Sequence, residues 1–135
     1  MVETLETSHT WSRLEELHVA VADAIRGALN EQGTAGLVFC HLSHAYADGA
    51  SLYFTFISRA RRGAELEQWA AVKRAACEAI VAHGGTITHH HAVGRDHAPY
   101  MEAEVGRTGL DILRAVKAQL DPAEIMNPGK LLPSA

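Results

Sequence analysis

Apolar residues recur at helical spacing twice in this 135-residue chain, and between the two stretches lie two strand-like runs joined by a turn dipeptide. Trp11, Leu14, Leu17, Val21, Ala24, Ile25 and Ala28 repeat with a period near that of an α-helix, as do Leu66, Trp69, Val72, Ala76 and Ile80. Each stretch runs into glycine, the residue that most readily closes a helix C-terminus: Gly33 in the first case, Gly84-Gly85 in the second. The spacing predicts helices over 11–30 and 65–82, with Ser12 and Glu15 placed as a capping box for the first. Residues 37–44 and 51–58 are rich in β-branched and aromatic side chains, and Asp48-Gly49 between them predicts a hairpin.

Beyond Gly85 a short strand is expected over 86–91, ending at Gly94. Pro99 then starts a short helix, Thr108 to Asp111 caps another running to Leu120, and Asp121-Pro122 through Asn127-Pro128-Gly129 forms a tail. The order helix, strand, strand, helix, strand, helix defines an α+β fold, with helices packed on one face of an antiparallel sheet. Three strands covered on one side leave the other face and both edges in need of cover, so the chain reads as part of something larger.

One domain is the most that 135 residues support. Twelve basic against sixteen acidic side chains, net −4, exclude a nucleic-acid groove or an anionic membrane surface as the main partner. Arg59, Arg61 and Arg62 do not alter that balance and read as a solvated end. Cys40 and Cys77 fall in apolar runs and read as buried thiols. The opening residues show neither a charged nor an apolar leader region, which makes a soluble, cytoplasmic protein the expectation.

The chemistry concentrates in two clusters. His89-His90-His91 stand between Gly84-Gly85 and Gly94, and three adjacent imidazoles suit proton transfer, anion binding or metal ligation. On a strand His89 and His91 would share one face. A metal would need that pair together with His41, His44 or a carboxylate, and with no third-ligand motif to complete the set no metal site is assigned. A structural cluster capping carbonyls is the plain alternative, although the flanking glycines point to a sharp bend or a close approach to a ligand. The second cluster, His41 to Gly49, delivers His44 and Tyr46 to the hairpin loop, where both are plausible acid–base groups; Tyr46 is equally readable as an ordinary half-buried aromatic. His9, His18, His83 and His97 fall on expected helix faces or ends and read as structural or solvated.

Four segments carry a family resemblance. They are Glu3 to Trp11, Ser43 to Gly49 with Leu52-Tyr53-Phe54, Gly84 to Gly94, and Asp121-Pro122 through Asn127-Pro128-Gly129-Lys130-Leu131-Leu132. Together they resemble FAD-linked flavoproteins of the vanillyl-alcohol oxidase and p-cresol methylhydroxylase type, and most of all the alkyldihydroxyacetonephosphate synthase branch. The triple histidine separates that branch from lactate and glycolate dehydrogenase relatives, where Glu-His-Gly is usual.

The resemblance implies a ferredoxin-like flavoenzyme cap domain. Residues 1–120 would be its C-terminal part, and 121–135 a tail returning to an FAD-binding domain that lies outside this sequence. It implies exchange of the acyl group of acyl-dihydroxyacetone phosphate for a long-chain alcohol, with FAD bound mainly by that other domain or subunit. Residue by residue it implies Tyr46, His89, His90 and His91 as catalytic groups, His90, His91 and Asn127 as cofactor contacts, and His44 in support of Tyr46. Ala92 stands where the family usually has glycine. The rival readings are an FAD-linked oxidoreductase acting on a 2-hydroxy acid and, from another class, a histidine-rich module that binds metal or associates with copies of itself.

Overall fold

The computed structural model describes residues 1–133. They form two compact units, one from Met1 to His91 and one from Ala92 on. In the first, β1 (Val2–Thr10), α1 (Trp11–Glu31), β2 (Gly36–Ala45), β3 (Gly49–Ser58) and α2 (Glu65–Ala82) follow in order. The sheet is antiparallel with strand order β1-β3-β2. The hairpin and both helices stand where the spacing predicts them.

One strand does not. The third strand is the N-terminal run Val2–Thr10, paired along its whole length with β3, and residues 86–91 form no ladder. Thr86 N–H donates to the Ser8 carbonyl at 3.2 Å, but the His90 N–H goes to the Glu6 carboxylate at 3.0 Å. A side chain satisfies the donor that a neighbouring strand would otherwise take. The expected capping box is absent too: Thr10 is the N-cap of α1, Ser12 lies inside the helix, and no side chain caps its start.

α1 and α2 end in the same device. Gly33 (φ 69°) and Gly84 (φ 71°) adopt left-handed backbone, and paired bonds close each terminus: Gly33 N to Asn30 O with Thr34 N to Leu29 O, and Gly84 N to Val81 O with Gly85 N to Ile80 O. This is the Schellman arrangement, which satisfies carbonyls that would otherwise be orphaned. The core lies on one face of the sheet, where Leu17, Val21, Ile25 and Leu29 of α1 and Val72, Ala76 and Ile80 of α2 bury Leu5, Phe54 and Phe56. By strand alternation the opposite face carries Val2, Leu37, Phe39 and Ile57 at one end, all exposed, and Glu6, Ser51, Tyr53 and His41 at the other.

Among its described residues the second unit holds a 3₁₀ turn (Ala98–Tyr100), opened by Pro99, and α3 (Met101–Leu120). Gly106 (φ 71°, ψ 170°) interrupts α3, so the break between helical pieces falls there and not at Thr108. Asp121 organises the turn after α3. The Lys117 ammonium beside it, helped by the Ile125 and Met126 N–H groups, holds its carboxyl below the usual range against the opposing effect of burial. Leu131 N–H returns to the Val93 carbonyl at 3.0 Å. Of the expected tail, residues 134 and 135 lie outside the described residues. No helix among the described residues is long and apolar enough to cross a membrane.

Two glycines give opposite expectations. A Cβ on Gly49, which pairs with Thr10, would lie 2.2 Å from the His9 carbonyl oxygen. Gly49→Ala should therefore cost about 2 kcal/mol or more, because backbone must move. A Cβ on Gly27, inside α1, meets nothing within 4 Å, so Gly27→Ala should add about 0.5–1 kcal/mol through helix propensity. Denaturant midpoints of the two variants should move in opposite directions from that of the parent.

Candidate functional site

Three pieces of chain converge on the polar end of the open sheet face. The first is Glu6 on β1, whose side chain is 1% exposed. The second is the end of β2, where a bulge between Leu42 and His44 leaves Ser43 out of register. The third is the segment that leaves α2 through Gly84-Gly85. A Cβ on Gly85 would fall 2.7 Å from Thr7 Oγ1 and 2.9 Å from Leu17, and Thr7 Oγ1 donates to the Thr86 carbonyl at 2.7 Å. The glycine pair thus closes a helix and brings the chain against β1. The close approach read from the sequence is to the protein's own core.

From there the histidines fold over Glu6. His90 donates its backbone N–H to Glu6 Oε2 at 3.0 Å, and its Nδ1 lies 3.1 Å from both carboxylate oxygens. Ser43 Oγ donates to Glu6 Oε1 at 2.8 Å and lies 2.6 Å from Ser51 Oγ and 3.1 Å from His44 Nδ1. Burial alone would raise the Glu6 carboxyl. The hydrogen bonds from Ser43 and His90 and the charge of His90 outweigh it and hold the group at about 2. The His90 ring centroid stands 4.1 Å from that of His89 and 4.2 Å from that of His44.

Tyr46 enters from the hairpin loop, its hydroxyl 3.3 Å from His89 Nε2. The other nitrogen of that ring, Nδ1, is buried 3.6 Å from Glu6 Oε1, within reach of its charge and beyond hydrogen-bond length; among the described residues it has no hydrogen-bond partner. Tyr46 and His89, with Ser8, His9 and Asp48, line a cleft of about 320 Å³. An exposed phenol coupled to an imidazole at a cleft mouth can pass a proton to or from a molecule lying there.

The structure therefore gathers His44, Tyr46, His89 and His90. His91 turns instead onto Tyr53, ring centroids 5.2 Å apart, with His41 stacked on the same tyrosine at 5.1 Å. Asn127 belongs to the second unit, where it adopts φ 48° and lines a groove of about 580 Å³ with Val93, Leu113 and Met126. His9, expected at a helix end, lies in β1, and its Nδ1 accepts from Thr10 N–H at 2.7 Å. Cys77 is buried and Cys40 half-buried; burial pushes the Cys40 thiol up to about 11, which leaves it a poor nucleophile at neutral pH.

Glu6, at the centre of these contacts, is not singled out by residue type. Its one signal is positional: a carboxylate whose strand neighbours Leu5 and Thr7 both face the core. One ligand atom each from Glu6, His44, His89 and His90 lies within 4.8 Å of the others, a set able to hold a divalent cation. The H-x-H pair expected from strand alternation is not the one formed, since 89–91 is not a strand. FAD fits this chain only in part. Imidazole and phenol donors suit the polar edge of a flavin or of its substrate, but Gly84 and Gly85 are occupied by capping and packing and offer no cradle to a diphosphate.

Comparison with known proteins defines the class. The family model for the C-terminal domain of FAD linked oxidases matches residues 1–131, and the chain belongs to that family. An alkyldihydroxyacetonephosphate synthase of Trypanosoma brucei brucei is 38% identical over 132 residues, covering 98% of this chain and 22% of its own length. That of Dictyostelium discoideum is 31% identical over 133 residues, again 98% of this chain and 22% of its own. A solved structure of an alkyldihydroxyacetonephosphate synthase superposes with a TM-score of 0.63 at 24% identity, over 94% of this chain and 20% of that one, and so shares its fold. The chain spans about a fifth of the length of these relatives.

The low pKa of Glu6 links the site to acid stability. With its folded value near 2 against an ordinary 4.5, the carboxylate contributes stability that is fully present above about pH 4.5 and is lost as pH falls through about 2. The shift corresponds to roughly 3 kcal/mol. The stability difference between the parent and Glu6→Gln should be largest near pH 5 and shrink toward pH 2, read from urea midpoints at each pH. A difference that stays constant over that range would contradict the assignment.

Proposed function

We propose that this chain is the C-terminal portion of a flavin-dependent enzyme of the alkyldihydroxyacetonephosphate synthase kind. It would work with an FAD-binding domain or subunit that supplies the cofactor's main binding site. The substrates are acyl-dihydroxyacetone phosphate and a long-chain alcohol, and the reaction sets the alcohol's alkoxy group in place of the acyloxy group, which leaves as the fatty acid, in ether-lipid synthesis. The observation that carries the reading is the Tyr46 hydroxyl 3.3 Å from His89, at the head of the triple histidine, in a chain 38% identical over nearly its whole length to an alkyldihydroxyacetonephosphate synthase.

In this mechanism Tyr46 and His89 exchange a proton with the substrate carbon that loses its acyl group. His90 takes or returns a proton beside them, and His44 limits the freedom of the loop that carries Tyr46. FAD, when bound, supplies an electron-accepting centre toward which these groups orient the substrate. His91 and Asn127 are proposed contacts to the cofactor. Dihydroxyacetone phosphate is anionic and the residues gathered here offer imidazoles but no arginine, so some of the arginines that bind the phosphate would come from residues beyond this chain. An FAD-linked oxidoreductase acting on a 2-hydroxy acid would use the same cleft, and flavin reduction by such an acid would favour it.

A second reading has its own observation in the convergence of Glu6, His44, His89 and His90. Zinc bound one to one through dialysis, and lost in His89→Ala, would make this a metal module in place of a flavin one.

The visible spectrum of the chain with FAD, alone and then mixed with the FAD-binding domain of such an enzyme, tests the first reading. Flavin absorbance should be retained through gel filtration only in the mixture. In that complex Tyr46→Phe and His90→Ala should each lower turnover by about 100-fold or more. Unchanged turnover in both would remove the cluster from the chemistry.

A further inference from the structure

A carboxylate this deeply buried cannot itself meet a substrate, yet Glu6, on β1, is hydrogen-bonded to both of the other segments that build the site, the end of β2 through Ser43 and the segment after α2 through His90. Both its oxygens lie 3.1 Å from His90 Nδ1, Oε2 also takes the His90 N–H, and Oε1 takes the Ser43 hydroxyl. We propose that Glu6 is the positioning residue of the histidine cluster: it takes the Nδ1 proton of His90 and so fixes which ring nitrogen His90 presents to a substrate.

An ionised carboxylate only accepts, so an imidazole nitrogen at 3.1 Å from both of its oxygens must carry the hydrogen. In the neutral ring the lone pair then sits on Nε2. A proton that His90 takes in the reaction goes to Nε2, and the imidazolium that forms keeps its Nδ1–H on Glu6, whose charge stabilises it. A buried carboxylate behind a histidine base acts in the same way in hydrolytic triads. Glu6 does this for two segments at once, since Ser43, which it also holds, precedes His44 and the Tyr46 loop. The catalytic meaning rests on the function proposed above, whereas the protonation of the His90 ring does not.

Ring-nitrogen ¹⁵N NMR of the 135-residue chain, at a pH where the His90 ring is neutral, reads the inference without flavin. His90 should show a protonated Nδ1 and a bare Nε2. Glu6→Gln brings an amide N–H₂ against a site already filled by three donors, so one bond must go; the Nδ1–H population should fall to about half or less. A His90 protonated on Nε2 in the parent, or a spectrum unchanged in Glu6→Gln, overturns the inference. The parent spectrum decides alone if the variant does not fold. In the complex with the FAD-binding domain, Glu6→Gln should reshape the pH profile of kcat with KM little altered. A profile of unchanged shape, with turnover reduced only in proportion to folded protein, would make Glu6 merely structural. If the complex exchanges no acyl group while the NMR result holds, the proposed function fails and the role of Glu6 in setting the ring's protonation stands.

Discussion

The site depends on the desolvated carboxylate of Glu6 and the donors that compensate it. An ionised group out of contact with water is tolerated only where hydrogen bonds replace its hydration. Here those donors come from the bulge at Ser43 and from the backbone and ring of His90. Removing any one would leave part of that charge uncompensated where little water reaches. Electrostatic necessity thus ties β1, the end of β2 and the segment after α2 together, and the positions of Tyr46 and His89 follow from that.

The helices and the hairpin were legible because each announces itself locally. A 3.6-residue apolar period closed by Gly33 or Gly84, and Asp48-Gly49 between aromatic runs, need no tertiary information to be read. β1 was not legible: Glu3, Glu6 and His9 interrupt its apolar pattern, and it becomes a strand by pairing with β3 over nine residues. The strand expected at 86–91 failed for the converse reason. Thr86 and Ile87 have strand composition, but the backbone donor of His90 is claimed by a side chain 84 positions earlier. No local window contains that fact.

Of the candidate site, the residues named by chemical type, His44, Tyr46, His89 and His90, do come together, while the group that orders them was passed over. Imidazoles and phenols stand out in a sequence; one carboxylate among sixteen acidic side chains does not. The difference between Glu3 and Glu6 is one of strand parity. Glu3 reaches Trp69 and Lys73 of α2, and Glu6, on the opposite face, reaches the histidines. Ala92, directly after the histidines, holds a left-handed backbone (φ 60°) that glycine would adopt without strain.

The bulge at Ser43 gives the hairpin a property the rest of the sheet lacks. Up to Leu42 the partners of β2 and β3 are in one phase, and from His44 on they are in another. The extra residue works as a frame shift written in space. Most of the hydrophobic layer, from Gly36 to Leu42, is read in the first frame, and His44 with the loop that carries Tyr46 in the second. A change of length at this point can rotate His44 and Tyr46 relative to the cleft while the pairs from Gly36 to Leu42 keep their register, so loop geometry and the bulk of the sheet are free to vary separately across a single residue.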